Sequence, residues 1–144
     1  MHPYPHQYRV STSAAATGDV TLSSPGLPDL ASNPPPEFDG PEGFWSPETL
    51  LCAAVADCFI LSFRAVARAS KLDWTHLDCH VEGILDRAEG TTRFTRYVTR
   101  ATLRVPAGTD AGRAKLLLEK AEKVCLISNS LNGERELFCD IVEG

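Results

Sequence analysis

From Leu50 to Val66 the chain is apolar nearly all round a helix, interrupted mainly by Asp57 and by two thiols, Cys52 and Cys58. A helix with so narrow a polar face has to be covered on most sides. Ala53, Ala54 and Ala56 keep one flank thin, so that a neighbour can approach closely. The start is well marked: Ser46 is a good N-cap, Pro47 suits the first helical position, and Glu48 complements the positive end of the helix dipole. With 144 residues, residues 1–144 are expected to form a single domain. Burial of this helix then calls for a sheet against it and a second subunit beyond.

Ahead of the helix, "QYRVSTSA" and "DVTLSS" read as two short strands around Thr17-Gly18. Residues 23–48 follow, with three consecutive prolines and several glycines that forbid a helix and any central strand. An irregular stretch of that length inside a compact domain is often functional. Beyond the helix, "HLDCHVEGILDRA" and "TTRFTRYVTRATLRVP" flank Glu89-Gly90 as a long hairpin. Tyr97, Ala101, Leu103 and Val105 share one parity, whereas Arg96, Arg100 and Arg104 share the other and form a solvated face. Thr109 or Asp110 caps a second helix, with Leu116, Leu117, Ala121 and Val124 on its apolar side. A helical turn at "LISNSL", an Asn132-Gly133 turn and the strand "ELFCDIVE" complete the chain. Strands, helix, strands, helix, strand make an α+β domain with helices gathered on an antiparallel sheet.

Composition narrows the function. The net charge of −5 lacks the concentrated basic surface that nucleic acid requires. The N-terminus has no apolar core of a signal peptide, and residues 50–63 are too short and interrupted to span a bilayer, so no membrane association is expected. Five cysteines in a chain without an export signal point to a reducing, cytoplasmic setting, where paired thiols do redox or metal chemistry.

Cys79 shares parity with Val81 and Leu85, and Cys139 with Leu137 and Ile141, so both read as inward core residues. Cys52 and Cys58 are separated by about 9 Å of helical rise, beyond the Cα separation of about 7 Å that a disulfide tolerates. Cys58 and Cys125 each lie in a helical context with polar company, and the residues alone leave Cys58 either a small core filler or a reactive thiol. His76, Cys79 and His80 alternate across a strand and do not converge, and no C-x₂-C pair exists, so neither metal nor cofactor is expected.

"WSPETLLCAAVADCF" resembles the central-helix motif of the OsmC/Ohr family, the osmotically induced and organic-hydroperoxide-resistance proteins. In that motif a Pro-Glu pair is followed ten residues after the glutamate by a cysteine, here Pro47, Glu48 and Cys58. The second family motif is matched by "AEKVCLISNSL", with Cys125. The resemblance implies an OsmC-like fold with a long buried central helix in an intertwined homodimer. It further implies a thiol peroxidase in which Cys58 attacks organic hydroperoxides, Cys125 resolves the product, and an external dithiol of lipoyl or thioredoxin type regenerates both. Glu48 would organise the site; about 15 Å of helix separates it from Cys58, so it would serve the other subunit. Peroxidatic members carry an arginine before this helix. Here Glu37 and Val20 stand near those places, and Arg9 is the only arginine before the helix. The resemblance then requires Arg9, Arg64 or Arg68 as the cation; the alternative is a non-catalytic small-molecule binder whose pocket is walled by Phe38, Phe44 and Trp45.

Overall fold

The computed structural model describes residues Met1–Gly144, which divide into two compact units, Met1–Leu50 and Leu51–Gly144. In the first unit, β1 (Ser11–Ser13), β2 (Val20–Ser23) and β3 (Leu30–Ser32) form an antiparallel sheet in that order. The β1–β2 hairpin lies where Thr17-Gly18 places it, with Gly18 at a φ of +95°. The proline-rich stretch does supply a strand, but an edge one, as the prolines demand. It also closes a short 3₁₀ turn, Pro36–Phe38, which Pro36 can enter because the first N–H groups of a helix need no partner. Gly40 closes that turn where a Cβ would lie 1.8 Å from the Pro34 carbonyl oxygen, so no side chain fits.

Helix α1 (Pro47–Ala69) starts in the first unit and continues into the second. Ser46 caps it: its hydroxyl accepts from the Thr49 amide at 3.2 Å. Its inward stripe is Val55, Phe59, Phe63, Val66 and Ala67. Within one chain only this stripe is buried and Leu61 is 52% exposed, so the chain's own sheet supplies one side of the cover that the sequence calls for. The helix starts at Pro47, as its cap signals predict, and runs three residues beyond Val66 to Ala69. By length and composition alone its 23 residues could cross a membrane, although its buried stripe is committed to the core of the second unit.

The second unit is built on β4 (His76–Ala88) and β5 (Thr91–Val105), an antiparallel hairpin turned by Glu89 and Gly90 at φ of 55° and 79°. Helices α2 (Ala111–Val124) and α3 (Leu126–Asn129) follow, and β6 (Glu134–Glu143) then returns parallel to β5. The expected all-antiparallel sheet is thus mixed. The α2–α3 segment is long enough to serve as the crossover that parallel pairing needs. Leu77, Ala101, Leu103 and Val105 face the buried stripe of α1, whereas Arg96, Arg100 and Arg104 lie outside. Asp110 is the cap of α2, accepting from the Arg113 amide at 3.1 Å. The buried face of α2 is Ala114, Leu118 and Ala121, with Leu117 beside it. Leu116 and Val124, expected inside, are 65% and 48% exposed because the helical period set by Ala114 and Leu118 turns them to solvent.

Candidate active site

Cys125 is the residue on which α2 ends and α3 begins, with an extended backbone (φ −62°, ψ 106°) and 1% exposure. Its carbonyl accepts from the Asn129 amide at 2.9 Å. The reversal is held by Arg135 from the start of β6. Its guanidinium donates to Glu122 Oε1 at 2.6 Å, to the Glu122 carbonyl at 2.5 Å and to Asn129 Oδ1 at 2.9 Å, so one planar fork ties the end of α2 to α3. Asn129 completes the clamp by donating to the Lys123 carbonyl at 3.0 Å. Sequence reading missed Arg135; an arginine that follows a glycine turn carries no periodic signal of its partners.

The corner brings Cys125 to Cys58. A cavity of about 430 Å³ lined by Ala54, Asp57, Cys58, Leu61, Ser62, Leu126 and Ile127 opens over the Cys58 thiol. Ser62, one turn along α1, places its hydroxyl 3.8 Å from Cys58 Sγ. Burial acts to raise the Cys58 pKa, but it is outweighed by the Ile127 amide, the Cys125 thiol, the Ser62 hydroxyl and the Leu126 amide, all of which favour the thiolate. The net direction is down, toward an ionised sulfur. Cys125 moves the opposite way: burial raises it, the hydroxyl and amide of Ser128 oppose that, and the nearby Cys58 raises it further. The two sulfurs are therefore biased in opposite directions, Cys58 toward the thiolate and Cys125 toward the thiol.

The other thiols are differently placed. Cys79 and Cys139 pack against the core from one row of the sheet, with Ala101 between them in register, as their parity predicts. Burial, with Cys125 and Cys139 nearby, pushes the Cys79 pKa up to about 12. Cys52 lies against Gly83 and is likewise raised, by burial. His76 and His80 are exposed on the opposite face from Cys79, and His76 meets Asp78 at 3.2 Å.

Of the expected cations, Arg64 and Arg68 do not line the Cys58 cavity, and Arg9 donates to Gln7 Oε1 at 2.6 Å in the first unit. Glu48 belongs to that unit too, in a cavity of its own with Val20, Leu22 and Phe38. A larger cleft of about 710 Å³ lies between Ile84, Arg93, Arg96 and the Asn132-Gly133 turn, and no cysteine lines it.

A long central helix between a hairpin and a crossover, carrying one cysteine against a second at a helix corner, defines a dithiol α+β protein. Residues 40–137 match the OsmC-like protein family, and the chain belongs to that family. It is similar to the uncharacterized protein YmaD of Bacillus subtilis (strain 168), at 30% identity over 106 residues, 72% of this chain and 71% of that one. It is also similar to peroxiredoxin OsmC of Escherichia coli (strain K12), at 28% identity over 97 residues, 67% and 66% of the two chains. Among solved structures, an organic hydroperoxide resistance protein OsmC from Legionella pneumophila superposes with a TM-score of 0.76 at 24% identity, covering 97% of this chain and 99% of that one. The OsmC-like α+β fold with a long central helix, expected from the resemblance, is the fold observed, with β6 parallel rather than antiparallel to its neighbour.

Proposed function

We propose that this protein is a cysteine-based peroxidase that reduces organic hydroperoxides in oxidative-stress defence. The observation that carries the reading is the asymmetry of the two sulfurs: Cys58 is biased toward thiolate by two amides, the Cys125 thiol and the Ser62 hydroxyl, and Cys125 beside it is biased toward the thiol. In the first step the Cys58 thiolate attacks the distal oxygen of the O–O bond. The bond breaks, sulfur is oxidised to a sulfenic acid, and the alkoxide takes a proton from water and leaves as an alcohol. Cys125 then attacks the sulfenic sulfur and expels water, giving a Cys58–Cys125 disulfide. An external dithiol exchanges with that disulfide, itself becoming oxidised, and returns both thiols.

The leucine, isoleucine and alanine lining suits a bulky apolar peroxide better than hydrogen peroxide. Two backbone amides in place of the expected arginine stabilise the thiolate without a formal charge. A homodimer is part of the reading: Leu61 and Leu126, 52% and 66% exposed, form an uncovered apolar rim at the cavity. In such a dimer Glu48, ten helical residues before Cys58, would organise the partner's thiol. Five free thiols fit a reducing cytoplasm.

The test is stopped-flow oxidation of the reduced protein by cumene hydroperoxide, with Cys58→Ser and Cys125→Ser in parallel and products followed by thiol mass spectrometry. The expected course is fast consumption that requires Cys58, ending in the disulfide, with a persistent sulfenic acid in Cys125→Ser. Oxidation no faster than that of a free thiol, and indifferent to Cys58→Ser, would replace this reading with that of a non-catalytic binding protein on the same fold.

A further inference from the structure

Asp57 is the one charged side chain that lines the Cys58 cavity; apart from the thiol and the Ser62 hydroxyl, the other lining side chains are apolar. It precedes Cys58 on α1 and is exposed, which puts its carboxylate at the mouth. That carboxylate is unpaired, since the ion pairs of the chain are His76–Asp78, Arg96–Glu136 and Arg135–Glu122. The wall supplied by α3, Leu126–Asn129, carries no charge. Arg64, the first arginine of α1, lies seven residues beyond Asp57, about 10 Å of helical rise away. Arg135 is spent on Glu122 and Asn129.

A substrate that reaches Cys58 therefore passes an unneutralised carboxylate on its way to a sulfur biased toward the thiolate. Two like unit charges about 7 Å apart repel by a factor of about three in water, and by more in a partly desolvated cavity. Assembly does not reverse the sign. In the homodimer proposed above, the unit that reaches across is Met1–Leu50. It holds six acidic side chains, Asp19, Asp29, Glu37, Asp39, Glu42 and Glu48, against one basic residue, Arg9. Its Glu48 Oε1 is buried with no hydrogen-bond partner within the chain.

We infer that the Cys58 site selects its peroxide by charge, taking neutral organic hydroperoxides and turning away those that carry a carboxylate, with Asp57 as the residue that sets the preference. The substrate class rests on the peroxidase reading of the same sulfur; the charge beside that sulfur does not.

The experiment runs a neutral and an anionic probe of each of two chemistries on the full chain at low salt. Cumene hydroperoxide is set against its para-carboxylate derivative, with oxidation of Cys58 followed by stopped-flow. Iodoacetamide is set against iodoacetate; the thiolate displaces iodide, and thiol mass spectrometry reads the label on Cys58. Each rate is divided by that of 2-mercaptoethanol with the same probe, which removes intrinsic reactivity. The neutral-to-anionic ratio then removes the thiolate fraction of Cys58. A ratio of about three to ten is expected in both chemistries. It should fall toward one at about 1 M salt, where screening acts within about 3 Å. Asp57→Asn should lower the ratio by about threefold, and Asp57→Lys should invert it. A native alkylation ratio near one, or a ratio unchanged in Asp57→Asn, would overturn the inference. Cumene hydroperoxide consumed no faster than by 2-mercaptoethanol would overturn the peroxidase reading instead, and the alkylation ratio would still decide the charge preference. Should Asp57→Asn fail to fold by circular dichroism, the salt dependence of the native ratio decides the matter alone.

Discussion

The two units of this chain answer the same demand for burial in opposite ways. The second packs one face of α1 against a hairpin of 13- and 15-residue strands and against α2, with Phe63, Leu103, Val105 and Leu118 fully enclosed. The first has strands of three or four residues, and its buried residues are polar: Ser32, Asn33 and Ser46. One is neutral and satisfies its polar groups internally; the other carries the whole net charge and leaves one carboxyl oxygen unanswered. Stability is thus concentrated in Leu51–Gly144 rather than in Met1–Leu50.

The sharpest way to break that comparison is to cut into each unit. Leu118→Ala should destabilise the protein by about 3–5 kcal/mol, since a fully enclosed leucine leaves a cavity that close packing cannot refill. Leu22→Ala, at a half-buried position, should cost about 1 kcal/mol or less. Urea denaturation of both variants measures the difference. Equal losses would mean that the first unit is as much a core as the second.

A smaller effect should come from Gly83. A Cβ there would lie 2.7 Å from Cys52 Sγ and 2.8 Å from the Phe94 ring, so Gly83→Ala should cost about 1–3 kcal/mol through overpacking. Adding Cys52→Ala should recover part of the loss, because it removes one of the two clashing atoms. A double variant no more stable than Gly83→Ala would put the strain on Phe94 alone.

How much of this was legible beforehand depended on the range of the signal. The α1 start, the Glu89-Gly90 turn and the parity of β4 and β5 are written in neighbouring residues, and each appears where sequence places it. Cys58 and Cys125 were legible as a pair only through resemblance, because 66 residues separate them and a crossover joins them. The parallel return of β6 has no local signature, since strand direction depends on where the crossover lands. Leu116 and Val124 were misplaced because a helix of mixed composition permits more than one apolar face until packing selects it. Arg135 and the Leu126 and Ile127 amides were invisible for a related reason: their roles rest on backbone geometry at a corner.

Arg135 separates positioning from chemistry within the second unit. It touches neither sulfur among its hydrogen bonds, so Arg135→Lys should leave the first oxidation of Cys58 nearly unchanged. A point charge cannot reproduce the three-way fork that holds the α2–α3 corner. Closure of the Cys58–Cys125 disulfide should therefore slow by about tenfold, as expected when a reacting group is loosely held. Stopped-flow with a sulfenic-acid trap separates the two steps; slowing of both together would mean that Arg135 supports the fold rather than the corner.

The smallest expected effect concerns pH. The Ser62 hydroxyl favours the Cys58 thiolate, so its removal moves the Cys58 pKa upward. Thiolate is lost as pH falls through that pKa, and Ser62→Ala should lose its peroxide reactivity at a higher pH than the native protein does. At pH 6 the variant should react about two- to fivefold more slowly, with the rates converging at alkaline pH, where both sulfurs are ionised. Cys79, pushed up to about 12, stays a thiol throughout and provides the internal reference. Iodoacetamide labelling of the native protein at pH 8 should modify Cys58 and spare Cys79, and a Cys79 that reacted first would reverse the assignment of the reactive thiol.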